Sequence, residues 1–227
     1  MFFPTVMPTV SVEDVVNLKL HIGNLTKQSD PKTRDYVQSI ENDIMLIDPS
    51  ILADQLKKIT DKIQWLISNN KTILIVCDKS LYSDEIIKLC SQKNQLYYMV
   101  KSIPAGILTN FETLKKSIAN MNESKEFVNS ESFKALTKKE QAMKIRKLKK
   151  VEAVYEWVKD LKNKPDFIVV VCDKTTNKFV DEIVNTRIDN LVIASTSFNR
   201  RWSQENLLIT NINNYKSMMF VFETLFG

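Results

Sequence analysis

Along most of the chain, short runs of apolar, largely β-branched residues alternate with stretches whose apolar positions recur every three or four residues. Six runs read as strands: Asp43–Ile47 (DIMLI), Thr72–Cys77 (TILIVC), Leu96–Val100 (LYYMV), Phe167–Cys172 (FIVVVC), Leu191–Ser195 (LVIAS) and Leu207–Thr210 (LLIT). They are nearly continuous rather than alternating, which is the look of parallel strands buried on both faces. Between them, Leu52, Gln55, Leu56, Ile59, Ile63 and Leu66 trace one helical face, mainly apolar. Ile86, Ile87 and Cys90 trace a shorter one, and Val180, Ile183, Val184 and Ile188 a third. Further helices are expected from Val12 to about Leu20 and from about Asn214 to Leu225. Strands alternating with helices predict an α/β protein with a doubly wound parallel sheet.

One segment breaks this rhythm. More than sixty residues separate the third and fourth strands, and none of them carries a strand signal. Ile107, Phe111, Leu114, Ile118 and Met121 step by four, three, four and three, a heptad seam. A polar stretch, Asn122 to Ser132, follows. Thr137-Lys-Lys-Glu140 then has the spacing of a capping box, in which hydroxyl and carboxylate satisfy each other's backbone amides. The helix it opens places Ile145, Leu148, Val151, Tyr155, Val158 and Leu161 on one side, and Pro165 ends it. These residues predict a helical hairpin, 105–164, inserted into a sheet domain made of 1–104 and 165–227.

Charge singles out the same segment. The chain carries a net +5, yet Lys134 to Lys164 alone holds eleven basic and four acidic residues, so the remainder is about −2. Lys138, Lys139, Lys144, Arg146, Lys147, Lys149 and Lys150 crowd into four helical turns. Like charges at such spacing cost helix stability unless a partner offsets them. A phosphate backbone is such a partner, with counterion release supplying affinity. The bland alternative is a solvated helix face.

Enzymatic signatures are missing. The three glycines, Gly23, Gly106 and Gly227, form neither a dinucleotide fingerprint nor a phosphate-binding loop. His21 is the one histidine, and no nucleophile elbow is present. Val76-Cys77-Asp78-Lys79 recurs as Val171-Cys172-Asp173-Lys174, each at a strand end. One reading gives a doubly wound enzyme that holds a phosphorylated ligand with Asp78, Lys79, Asp173 and Lys174. The plainer reading, preferred here, has each Asp begin the turn and cap the next helix. A third makes the hairpin seam a dock for a partner helix. Cys77, Cys90 and Cys172 are too scattered for a disulfide framework or a paired zinc site. No catalytic residue, metal, cofactor or small-molecule substrate is expected. No run is long and apolar enough for a membrane span, and Met1 to Val10 reads as neither a secretory signal nor an Arg-rich transit peptide. Lysine outnumbers arginine 27 to 5, a skew that suits an AT-rich or organellar genome.

With the elements placed, the landmarks resemble ribosomal protein uS-two, the second protein of the small ribosomal subunit, in its bacterial and organellar form. Lys19-Leu-His-Ile-Gly23 and Asp30-Pro-Lys32 look like the family's G-x-H-F-G and N-P-K-M opening. Ile44-Met-Leu-Ile-Asp48 resembles H-I-I-D-L, and Lys71 to Lys79 resembles the I-L-F-V-G-T-K strand. Ala105-Gly-Ile-Leu-Thr-Asn-Phe111 is close to G-G-M-L-T-N-W, the most specific match. Leu136-Thr-Lys-Lys-Glu140 with Arg146 and Lys150 is similar to L-T-K-K-E … R … K-L-E, and Pro165-Asp166 through Asp173 to the P-D … D strand. The order holds from about Val12 to Phe222. Departures fall at Ser102–Gly106, Ala194–Asn199 and Ile209–Asn214. The resemblance implies a flavodoxin-like three-layer parallel sheet with an inserted coiled-coil hairpin. It implies a structural, non-catalytic role on the small subunit, with its rRNA and neighbouring ribosomal proteins as partners. It adds His21, Lys27, Lys32, Lys101 and Asn110 to the expected RNA-binding set. The drift and the lysine skew favour a mitochondrial ribosome, with plastid or bacterial cytoplasm as the alternative.

Overall fold

The computed structural model describes residues 10–100, 103, 106–155, 158, 159, 161, 163–172, 177–199 and 207–227. Five parallel strands form its centre: β4 (Ile73–Cys77), β5 (Leu96–Val100), β6 (Phe167–Cys172), β7 (Asp189–Ala194) and β8 (Leu207–Ile209), in the order β5-β4-β6-β7-β8. Counted within the sheet this is 2-1-3-4-5, the flavodoxin-like order, which reverses direction between β4 and β6. β4 and β6 are buried along their whole length, as their unbroken apolar runs require. Helices α2 (Pro49–Ser68), α3 (Ser83–Ser91), α7 (Asn177–Thr186) and α8 (Tyr215–Phe226) flank the sheet. Asp48 starts α2 by accepting from the Ser50 and Ile51 amides at 2.9 and 3.4 Å, with Pro49 in the first turn. Of the predicted row, Leu52, Leu56, Ile59, Ile63 and Leu66 are buried on its inner face, and Gln55 is half-buried.

The first predicted strand belongs elsewhere. Ile44–Ile47 is β3, the middle of a separate antiparallel sheet with β1 (Ile22–Leu25) and β2 (Val37–Glu41), in the order β1-β3-β2. Neither of those flanking strands was predicted. β2 and β3 are joined by Asn42 and Asp43, both at positive φ, a two-residue turn whose handedness suits the twist of a hairpin. In β3 only Met45 and Ile47 are buried, so the run is one-sided despite its apolar look.

The first helix, α1 (Val12–Asn17), is shorter than expected. Leu20 N–H reaches back to the Val15 carbonyl and Lys19 N–H to that of Val16, both at 3.0 Å, with Lys19 at φ 59°. That left-handed closure ends the helix. The chain then runs against the carboxyl ends of β7 and β8. Leu20 O accepts from the Asn211 amide and the Thr210 hydroxyl, and Leu18 O accepts from the Ser217 hydroxyl. Thr196, just past β7, binds the Asn24 amide and the Ser29 hydroxyl through its own hydroxyl. Its carbonyl takes the Asp30 amide and the Thr33 hydroxyl. A Cβ on Gly23 would stand 2.7 Å from both the Met45 carbonyl and the Thr196 methyl, so only glycine permits this approach.

Candidate RNA-binding surface

The expected RNA-binding residues other than Lys101 fall in two places: the helical hairpin with the turn before it, and the segment from His21 to Lys32. The hairpin is α4 (Phe111–Val128), the short α5 (Glu131–Lys134) and α6 (Lys138–Tyr155). α4 is longer than predicted, because Asn122 to Val128 continues the helix. The predicted seam of Ile107, Phe111, Leu114, Ile118 and Met121 is buried throughout. Of these, Ile107, Phe111, Leu114 and Ile118 join the core of the sheet domain, as do Val158 and Leu161 where the chain returns.

α6 is built differently. The capping box forms as read: Glu140 N–H donates to the Thr137 hydroxyl oxygen at 3.4 Å, and the Glu140 carboxylate accepts from the Thr137 amide and hydroxyl at 3.0 and 2.7 Å. The Thr137 bonds hold the Glu140 carboxyl below its ordinary range. No residue of α6 is buried. Leu148, Val151 and Tyr155 turn half-buried towards α4, whereas Ile145, expected beside them, is exposed.

The seven crowded basic residues divide between two sides of α6. Lys144 lies over the Phe127 ring at 4.1 Å, a cation–π contact that fixes it against α4. With Lys147, Met121, Val151 and Tyr155 it lines a groove of about 740 Å³ between the helices. Lys125 of α4 and Glu152 of α6 add an ion pair at 3.5 Å. Lys138, Lys139, Arg146, Lys149 and Lys150 are all exposed. Lys139, Arg146 and Lys150 share one face at i, i+7 and i+11, with Lys138 and Lys149 on the adjoining strip. None of the five pairs with a described acid. They form a positive strip about 18 Å long.

In the other segment, Lys27 and Lys32 are exposed on short 3₁₀ turns. Asp30 caps the second turn by accepting from the Lys32 amide at 2.9 Å. His21 is half-buried, with Nδ1 3.4 Å from the Val15 carbonyl. Its own carbonyl accepts from Ile47 N–H at 2.8 Å, so the residue is woven into the fold. Asn110 stands exposed before α4, and its side-chain oxygen accepts from the Thr113 hydroxyl at 2.7 Å. Lys101 lies outside the described residues, as do Asp173 and Lys174.

At the first strand-end echo, Lys79 reaches Asn213 Oδ1 at 2.8 Å and the Ile212 carbonyl at 3.4 Å, bracing the loop after β8. Among the described residues no acid, histidine and cysteine cluster is arranged to hold a metal ion, and no helix is long and apolar enough to cross a membrane.

Sequence reasoning missed one residue. Glu182 of α7 is buried, and its carboxylate accepts from the amides of Gly106, Leu108 and Thr109 at 2.9, 2.6 and 2.8 Å and from the Thr109 hydroxyl at 3.2 Å. The available signal was its register, three residues after Phe179 on a buried helix face.

Comparison with known proteins bears on all of this. The family model described as ribosomal protein S2 matches residues 15–226. The small ribosomal subunit protein uS2c of Phaeodactylum tricornutum is 29% identical over 191 residues, covering 84% of each chain. The uS2 protein of Cytophaga hutchinsonii is 26% identical over 188 residues, 83% of this chain and 74% of its own. That of Actinobacillus pleuropneumoniae is 27% identical over 191 residues, 84% of this chain and 80% of its own.

Proposed function

Because the chain belongs to the ribosomal protein S2 family, and so is a structural constituent of the small ribosomal subunit, we propose that its exposed hairpin strip is the main contact with rRNA. The observation that carries this is the strip itself: Lys138, Lys139, Arg146, Lys149 and Lys150 exposed along one side of a helix that has no fully buried residue. Such charges position a protein on phosphates without reading bases. Lys144 and Lys147 contribute from the groove edge, and Lys27, Lys32, His21, Lys101 and Asn110 complete the set. Residues 105–164 act as a coiled-coil hairpin inserted into the sheet domain of 1–104 and 165–227. Neighbouring small-subunit proteins are the other partners, and the chain performs no catalysis.

The relatives include plastid and bacterial types. The lysine skew and the altered Ala194–Asn199 and Ile209–Asn214 segments support a mitochondrial ribosome for this chain. The test is gradient sedimentation at moderate salt with RNA crosslinking. Co-migration with small subunits and crosslinked peptides from residues 138–150 are expected. Separation from the subunit, with no crosslink on the hairpin, would overturn the reading. Fractionation of organelles decides the compartment: recovery with plastid or bacterial ribosomes would overturn the mitochondrial assignment.

A further inference from the structure

We infer that Glu182 is the positioning residue of the basic hairpin, setting the direction in which α6 presents its charges. This rests on the hairpin being the RNA-binding arm. Apolar contacts at the hairpin's base, through Ile107, Leu108, Phe111, Leu114 and Ile118, hold it to the body, with a driving force that is itself non-directional. Hydrogen bonds are directional. The Glu182 carboxylate gathers three successive-turn amides and one hydroxyl within two to five residues of the first residue of α4. Gly106 adopts φ 79° and its carbonyl takes the Asn110 amide at 2.9 Å, so the turn has one shape and hands that shape to the helix. A buried carboxylate is tolerated only when charge-assisted bonds surround it, and here every donor comes from the hairpin's root. Glu182 is itself fixed by its neighbours Phe179, Val180 and Ile183, all buried in the core.

Leverage makes the angle matter. Beyond Ile118, its last residue in the shared core, α4 runs on to Val128, about 15 Å, so a tilt of about 10° moves the far end by about 3 Å. α6 has no fully buried residue that would resist it.

The test places spin labels at Lys134→Cys, at the far end of the hairpin, and Lys57→Cys, on the exposed side of α2. The native cysteines are buried. Electron–electron distance distributions are compared for the parent chain, Glu182→Ala and Glu182→Gln, alongside affinity for a small-subunit rRNA transcript. Glu182→Ala is expected to broaden or shift the distribution. It is also expected to weaken RNA binding by roughly threefold to tenfold, as the competent orientation becomes one of several, with the salt slope unchanged because the phosphate contacts are the same. Glu182→Gln keeps one acceptor for Leu108 and Thr109 but sets an NH₂ against the Gly106 amide, so its effect is intermediate. An unchanged distribution in folded Glu182→Ala overturns the proposal. If that variant does not fold, a Glu182→Gln distribution identical to the parent overturns it. A broadened distribution in Glu182→Ala, with RNA affinity indifferent to neutralising Lys139, Arg146 and Lys150, sustains the positioning of the hairpin and overturns the RNA-arm reading instead.

Discussion

The two long helices of the hairpin have the same length and opposite allegiances. α4 buries Phe111, Leu114, Ile118 and Met121, while α6, also 18 residues, buries none. Both carry apolar residues at heptad-like spacing. The difference is what lies between those positions and what faces them. The first three turns of α4 meet the sheet's own core. Among the described residues α6 packs mainly on α4, and lysines occupy part of even that side, at Lys144 and Lys147. α4 is therefore scaffold, stabilised by burial. α6 is presentation, stabilised by local devices such as its capping box and the Lys125–Glu152 pair. A hydrophobic spacing records the capacity to pack, and the partner decides how far that capacity is used.

The largest test of this contrast is Phe111→Ala. It should cost about 3–5 kcal/mol by removing a buried aromatic from the shared core, read by urea denaturation. Leu148→Ala in α6 should cost well under half as much, because its site is half open to solvent, and equal costs would break the comparison. Next comes the triple change of Lys139, Arg146 and Lys150 to Ala. It should leave the denaturation midpoint within error and weaken rRNA binding by roughly tenfold to hundredfold near 100 mM salt, with a shallower salt slope. A midpoint shift without an affinity change would make the strip structural.

Smaller again is Thr137→Ala, expected to cost about 1 kcal/mol of α6 helicity, measured by amide exchange over residues 138–142 with α4 unaffected. The same cap has a pH signature. Glu140's carboxyl is held below its ordinary value by Thr137, so its stabilisation is full above the ordinary carboxylate range. It fades as pH falls through the depressed folded value. Exchange protection at the start of α6 should fall on acidification into that range in the parent and fall less in Thr137→Ala, which keeps only the backbone amide bond to the carboxylate.

The central sheet was legible because β4 and β6 are buried on both faces, so every position in them is apolar. β1 and β2 were not, because they are short, half-exposed and interrupted by polar residues such as Asn24 and Gln38. β3 was found and assigned to the wrong sheet. A four-residue apolar run does not say which neighbours it pairs with, although the Asn42-Asp43 turn before it was a usable hairpin signal. The end of α4 was lost because residues 122–126 are polar, although Phe127 packs edge-on against Phe133 beyond it. The lysine cluster was visible as charge. Its division into an outward strip and a groove edge depended on which side of α6 meets α4. Glu182 was invisible because its partners are backbone amides more than seventy residues earlier, and an acid on an amphipathic helix ordinarily reads as solvent-facing.

The seam between the chain's first turns and its last strands also bears on the order of synthesis. Leu18, Leu20, Asn24 and Asp30 find their partners at Thr196, Thr210, Asn211 and Ser217. Residues 18–30 leave the exit tunnel well before residues 196–217 and wait for them, a long loop to close and a slow contact to form. The hairpin lies between the two in the sequence, so its two helices can pair with each other before its root meets Glu182 and the last strands.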